Sequence, residues 1–203
     1  MIGILGGAFD PIHIGHLRTA LEVKEQLGLT ELRLIPTHDP PHRPPLAAPG
    51  AIRLEMVRAA IAGQPGFVAD DRELRRTGKS YTLLTLRELR EELGDPPLCL
   101  LLGADAFRGF PTWHQPEEVL DACHLIVMQR PGDPAPPLYT ERHATDPAAL
   151  ASARGGKILF MPVTQLAISA TQIRGLARDG RDLRYLVPEA VLAVIRREGL
   201  YRG

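Results

Sequence analysis

Gly6-Gly7-Ala8-Phe9-Asp10-Pro11-Ile12-His13-Ile14-Gly15-His16 decides the fold of this chain. In front of it, the apolar run Met1 to Leu5 has the make-up of a buried strand. Gly6 and Gly7 carry no Cβ, so the backbone can turn sharply there and come close to a ligand. Behind the motif, Leu17, Ala20, Leu21, Leu27 and Leu29 approximate helical spacing, which predicts a helix beginning near Ile14 to Leu17. Such a helix start points free N–H groups and its positive dipole end at the turn, a place suited to an anion. His13 and His16, three apart, should project to the same side of the first helical turn. There they could donate to phosphate oxygens and meet charge that grows during phosphoryl or nucleotidyl transfer. Two incidental, satisfied histidines would explain HxxH alone. The glycine pair, the Asp-Pro turn and the position after a first strand favour the anion reading. The dinucleotide pattern GxGxxG is not met by Gly3 to Ala8, and no GxxxxGK[ST] occurs.

A second segment near the other end, Ile168-Ser169-Ala170-Thr171-Gln172-Ile173-Arg174, has a related logic. Ser169 is a good N-cap, and Gln172 three residues on completes a capping-box pattern, so a helix is expected from Ala170 to Ala177. Thr171 and Arg174 then share a face, offering a hydroxyl and a guanidinium fork beside free backbone donors, all suited to phosphate oxygens. A capped surface helix with an exposed arginine would explain this segment standing alone. Paired with the first motif, it reads as the second part of a triphosphate site.

Between these ends strands and helices alternate. Strands are expected at Leu32 to Pro36, Phe67 to Ala69, Leu98 to Leu102, Leu125 to Gln129 and, last, Ile158 to Met161. Helices are expected at Ile52 to Ala62, Thr82 to Leu93, Pro116 to Ala122 and Pro188 to Glu198. Repeated βα units imply an α/β fold with a doubly wound, mostly parallel, Rossmann-like sheet and ligands at the C-terminal strand ends. A single domain over residues 1–203 is expected, helical from about 165 onward. The proline-rich stretches Pro36 to Pro49 and Pro131 to Pro137 read as loops, the first placed to cover a site. Leu101-Leu102-Gly103-Ala104-Asp105 puts a glycine and a carboxylate at a strand end, where Asp105 could accept from ribose hydroxyls.

Composition excludes other classes. Twenty-four basic and 24 acidic residues leave no net charge, so a large basic nucleic-acid surface is not implied. No apolar run approaches membrane-spanning length, and the N-terminus does not read as a signal peptide, so a soluble cytoplasmic protein is expected. Cys99 and Cys123 sit in apolar stretches, as reduced core thiols would. No Ser/His/Asp or Cys/His arrangement for covalent catalysis stands out.

The two motifs resemble the GGxFDPxHxGH and ISxTxIR patterns of the nucleotidyltransferase superfamily. Further segments narrow the likeness: Pro40-Pro41-His42-Arg43, Ser80-Tyr81-Thr82, Phe110-Pro111-Thr112-Trp113, Leu125 to Gly132, Leu186-Val187-Pro188-Glu189 and Gly199-Leu200-Tyr201-Arg202. Together they look like the bacterial nicotinate-nucleotide adenylyltransferases, nearly end to end. The resemblance implies adenylyl transfer from ATP to nicotinate mononucleotide, with nicotinate-adenine dinucleotide and pyrophosphate as products. It implies that Gly6, Gly7, Ala8, Phe9, His13, Gly15, His16, Gly103, Asp105, Ile168, Ser169, Thr171 and Arg174 meet ATP. His13, His16 and Arg174 would be the catalytic residues. On the acceptor side it implies Trp113 stacked on the pyridine, backbone groups at Thr82, Leu83 and His114 near the nicotinate carboxylate, and Arg43 and Arg130 about the rest of the nucleotide. His114 stands where some relatives carry tyrosine, and Asp39 precedes the Pro40-Pro41-His42 segment where relatives often carry a neutral residue. Mg²⁺ would be carried mainly by the ATP phosphates and water, with no dedicated protein site. The substrates are the expected partners, without nucleic acid or membrane; a homo-oligomer stays open.

Three other readings share part of this pattern. A dual-specificity enzyme would accept the nicotinamide mononucleotide as well. A pantetheine-phosphate adenylyltransferase or a cytidylyltransferase would share both phosphate motifs but lack the Ser-Tyr-Thr and Phe-Pro-Thr-Trp segments. A non-catalytic nucleotide-binding protein would tolerate loss of HxGH or Arg174, and both are intact.

Overall fold

The structure is a computed structural model that describes residues 1–38, 45–130, 132 and 134–203. Along the chain the elements are β1 (Ile2–Gly7), α1 (Ile14–Leu27), β2 (Glu31–Pro36), α2 (Gly50–Ile61), β3 (Phe67–Ala69), α3 (Arg72–Arg75), α4 (Thr82–Leu93), β4 (Leu98–Gly103) and α5 (Ala104–Arg108). They continue with α6 (Pro116–Ala122), β5 (His124–Gln129), β6 (His143–Ala144), α7 (Ala148–Ala151), β7 (Ile158–Pro162), α8 (Ala170–Arg178) and α9 (Glu189–Arg197). The strands form one seven-stranded sheet in the order β3-β2-β1-β4-β5-β7-β6. The β1–β4, β4–β5, β5–β7 and β6–β7 pairs are all parallel. The order reverses between β1 and β4, which makes the sheet doubly wound, the class expected from the alternation of elements.

The expected helices and strands appear within a residue or two of their forecast ends. One strand, β6, was not foreseen: two residues, His143 and Ala144, pair with Ile158 and Leu159 of β7. So short a strand has no alternation to read, and its place is fixed by the ring nitrogen Nε2 of His143, 2.8 Å from the carbonyl of Leu138.

Two compact units are distinguished. The first comprises Met1–Leu5, Thr19–Arg33 and Tyr81–Gln165. Its centre is β4 against β5, in the register Cys99↔His124 to Gly103↔Met128. Every residue of β5 is buried, which is why its middle, Leu125 to Met128, reads as a continuous apolar run and not as an alternating one. Phe107, Phe110, Val119 and Leu120 are also fully buried in this unit. Cys99 and Cys123 are free and buried, and burial pushes the Cys99 thiol up to about 12. Gly155 is required by close approach, since a Cβ there would lie 2.6 Å from the amide nitrogen of Cys123 and 2.7 Å from the carbonyl oxygen of Asp121.

The second unit comprises Gly6–Arg18, Leu34–Ser80 and Leu166–Gly203. In it α2 packs on α9, burying Met56, Val57 and Ile61 of one and Val191, Leu192, Val194 and Ile195 of the other. Arg197 Nη2 reaches both carboxylate oxygens of Glu55, at 2.8 and 2.7 Å. After α9, Gly199 takes φ +61°, and the Leu200 N–H closes on the Ile195 carbonyl at 3.0 Å, which turns the chain end back.

Candidate active site

The phosphate motifs lie in the second unit. Gly6 and Gly7 still belong to β1, and neither has a positive φ. The sharp turn expected at the glycines is made instead by Phe9, at φ +47°. The glycines serve differently. A Cβ on Gly7 would come 3.1 Å from the Phe9 ring, so its absence makes room for that side chain. A Cβ on Gly6 would meet nothing within 4 Å, leaving the strand end open on that side. Phe9 is 2% exposed and packs edge-on against His16, with ring centroids 5.3 Å apart. Only its backbone is available to a nucleotide.

His13 and His16 are stacked, with centroids 3.6 Å apart and an interplanar angle of 21°. Each ring's Nδ1 faces the other residue's backbone N–H at 3.4 Å, a long but reciprocal contact. With both Nδ1 atoms as acceptors, the ring proton of each neutral imidazole sits on Nε2. Burial lowers His13 to about 4 and His16 to about 3, the latter helped by its neighbour's charge. Both rings are therefore neutral near pH 7 and are single Nε2 donors, not cations. Gly15 is needed between them, because a Cβ would press on His13 Nδ1 at 3.1 Å and would lie 3.7 Å from the Cβ of Ile168.

From the other motif, Ser169 caps α8 as expected: its Oγ accepts from the Gln172 N–H at 3.1 Å. Ser169 and Thr171 are exposed, and Ile168 and Arg174 half-buried. Arg174 Nη2 lies 3.3 Å from Thr171 Oγ1, and its Nη1 donates to the Asp10 carbonyl at 2.8 Å. That bond ties the two motifs, 164 residues apart in sequence, directly together.

Beneath the turn is a set of residues that sequence reasoning did not find. The Asp10 carboxylate, 2% exposed, accepts from the N–H groups of Ala47 (2.7 Å) and Ala48 (3.1 Å) and from the Tyr201 hydroxyl (2.7 Å). Arg53, also 2% exposed, donates to the carbonyls of Ala8 (2.7 Å) and Ala48 (3.1 Å). The Asp-Pro pair was read only as a turn. Nothing local marks Arg53, one of two arginines on α2, as buried.

Among the described residues, those expected to meet the ribose and the acceptor lie in the first unit. Gly103 ends β4 and stands at the N-cap of α5, and Asp105 is fully exposed in the first turn, ion-paired with Arg108. Helix α4 begins at Thr82, with no side-chain cap on its N-terminus. Leu83 has a buried side chain, so only its backbone can serve a ligand. The Tyr81 ring lies on that of His114, with centroids 4.4 Å apart, which brings residue 114 to the start of α4. Trp113 is half-buried and leans on Phe110, 5.3 Å away. The Trp113 backbone N–H is already bonded to the Phe110 carbonyl, whereas among the described residues the His114 backbone N–H has no partner. Arg130 is exposed just past β5. Arg43 and Asp39 lie outside the described residues. Among the described residues, no group of three or more His, Cys, Asp or Glu side chains is placed to hold a metal ion.

The cytidylyltransferase-like family model matches residues 4–176. The chain is 50% identical to a probable nicotinate-nucleotide adenylyltransferase of Methylococcus capsulatus, over 99% of each chain. It is 53% identical to one of Pseudomonas fluorescens, over 100% of this chain and 97% of the relative. The chain belongs to the nicotinate-nucleotide adenylyltransferase family. It is thus a nucleotidyltransferase, as the resemblance implied. Among solved structures, a Plasmodium falciparum nicotinic acid mononucleotide adenylyltransferase complexed with NaAD has the same fold, with a TM-score of 0.74 and 16% identity over 98% of this chain and 96% of that one. A putative nicotinate-nucleotide adenylyltransferase from Vibrio parahaemolyticus matches at a TM-score of 0.68 and 19% identity, over 99% and 94%. Membership in this family makes the chain an enzyme and not a non-catalytic nucleotide-binding protein, and the pantetheine-phosphate adenylyltransferase and cytidylyltransferase readings lose their support.

Proposed function

We propose that the enzyme transfers the adenylyl group of ATP to nicotinate mononucleotide, giving nicotinate-adenine dinucleotide and pyrophosphate in NAD biosynthesis. The observation that carries this is the bond from Arg174 to the Asp10 carbonyl, which joins two phosphate motifs in a chain of this family. In this reading the acceptor's 5′-phosphate attacks the α-phosphorus in line and pyrophosphate leaves, so the protein positions its substrates and stabilises charge. The Nε2–H groups of His13 and His16 donate to phosphate oxygens. Ser169, Thr171, Arg174 and the backbone of Gly6 to Phe9 and of Gly15 and Ile168 hold the triphosphate. Gly103 and Asp105 receive the adenosine ribose.

ATP enters as its Mg²⁺ complex, with the ion on the phosphates where it neutralises charge. The nicotinate carboxylate takes the N–H groups at the start of α4, at Thr82 and Leu83, and that of His114. A helix N-terminus without a side-chain cap offers both free donors and a favourable dipole to that anion. Trp113 stacks on the pyridine, and Arg43 and Arg130 attend the acceptor's phosphate side. The cytoplasm, where ATP is at hand, is the compartment that fits. Incubation with MgATP and a panel of phosphorylated acceptors, following pyrophosphate, tests the reading: release with nicotinate mononucleotide is expected. Release only with phosphopantetheine or another acceptor would overturn it.

A further inference from the structure

The phenol of Tyr201, in the segment after α9, reaches Asp10 inside the first phosphate motif. We propose that Tyr201 is a positioning residue for nucleotidyl transfer: acting through Asp10, it latches the turn between β1 and α1 in its reactive shape. The proposal rests on the adenylyl-transfer reading and adds to it a part for the C-terminal tail.

Asp10 is where the turn is held. Its carboxylate binds three donors, the Ala47 and Ala48 N–H groups and the Tyr201 hydroxyl, while its carbonyl receives Arg174. Arg53 fixes the carbonyl of Ala8, two residues upstream, and His13 stands three residues downstream. A shift of the Asp10 side chain would therefore be felt at its carbonyl, at the anchor of Arg174 and at the first histidine. Among the described residues, three groups donate to the carboxylate, and of these only the Tyr201 hydroxyl comes from a side chain.

The tail is built to deliver it. Gly199 turns the chain at the end of α9, and Tyr201 itself sits at φ +62°, in the left-handed region that a bulky residue seldom occupies. In that conformation the Tyr201 side chain is anchored by its bond to a carboxylate that is 2% exposed. Burial, and then the bond to Asp10, push the phenol well above its ordinary value, so it remains a donor throughout the working pH range. An unmet buried carboxylate lone pair would draw the side chain toward another donor and move the turn with it.

Tyr201→Phe removes the hydroxyl and keeps the ring. We expect kcat to fall roughly five- to twentyfold, a positioning loss from one hydrogen bond to a charged group, with KM for nicotinate mononucleotide within about twofold of wild type. Inorganic tripolyphosphate, which probes the phosphate pocket alone, should bind roughly three- to tenfold more weakly by calorimetry. Deleting residues 201–203, which leaves α9 complete, should reproduce this pattern. A variant that melts lower but keeps wild-type kcat and tripolyphosphate affinity would show a purely structural tether and overturn the proposal. So would a loss that falls on the acceptor's KM. If wild type releases no pyrophosphate with nicotinate mononucleotide, the functional reading has failed, and the tripolyphosphate titration still decides the latch.

Discussion

His16 is held edge-on by Phe9, stacked on His13 and kept neutral by burial, and in the proposed reaction its Nε2–H donates where phosphate charge develops. His16→Ala should lower kcat by roughly 10²- to 10³-fold, the usual cost of one such donor, and raise KM for ATP much less. Steady-state kinetics showing near-normal kcat with weakened ATP binding would make the residue a ground-state ligand instead. The same burial sets a pH dependence. The unfolded chain takes up protons on both rings near pH 6.5, whereas the folded chain resists until about 4 for His13 and about 3 for His16. Their contribution to stability is therefore complete above pH 6.5 and is lost as the pH falls from there through about 4 for His13 and about 3 for His16. Ring resonances of His13 and His16, followed by NMR without ligands, should stay flat from about pH 8 to about pH 5.5. An inflection near 6.5 in either would contradict the buried, neutral pair. The HxGH spacing made these residues legible in the sequence. Their charge state was not, because it depends on the Phe9 ring and on the left-handed turn that admits it.

At the scale of elements, what could be read was local. The cap of α8 needed only Ser169 and Gln172, and the all-buried strand β5 announced itself as an apolar run. What could not be read was paired at long range. Arg53 and Arg90 look alike in sequence, each one of two arginines on its helix, yet both organise backbone from other segments. Arg90 of α4 donates to the carbonyls of Gly94 (3.2 Å), Pro96 (2.6 Å), Ala122 (2.9 Å) and Arg154 (2.7 Å), gathering the chain at the amino ends of β4 and β5. Arg90→Met keeps the aliphatic stem and removes the fork. Since two of these bonds are open to water, the loss should be about 1–3 kcal/mol in denaturant unfolding, with kcat unchanged well below the melting temperature. A variant as stable as wild type would mean that the carbonyls are equally well met by solvent.

For the molecule as a whole, the strand–helix alternation was enough to predict a doubly wound sheet, and the resemblance in six further segments pointed to one family within it. Neither disclosed the tail of α9 reaching back to Asp10, because a tyrosine near a chain end carries no periodic or spacing signal. Acceptor choice is the property on which the functional account depends. Nicotinate and nicotinamide mononucleotides differ by a carboxylate against a neutral carboxamide, so shape discriminates little between them. The N–H groups of Leu83 and His114 can each donate to the carboxylate, at about 1.5–3 kcal/mol per charged hydrogen bond. With the carboxamide, at least one of them would face an NH₂ group and go unpaired, which strengthens the rejection. Trp113→Ala should weaken both acceptors and leave most of their ratio intact, since stacking does not read that difference. The decisive measurement is kcat/KM for the two acceptors at saturating MgATP, following pyrophosphate. We expect nicotinate mononucleotide to be preferred by roughly 10²- to 10⁴-fold, as two such positions imply; equal values would mean a dual-specificity enzyme and would remove the carboxylate site at the start of α4.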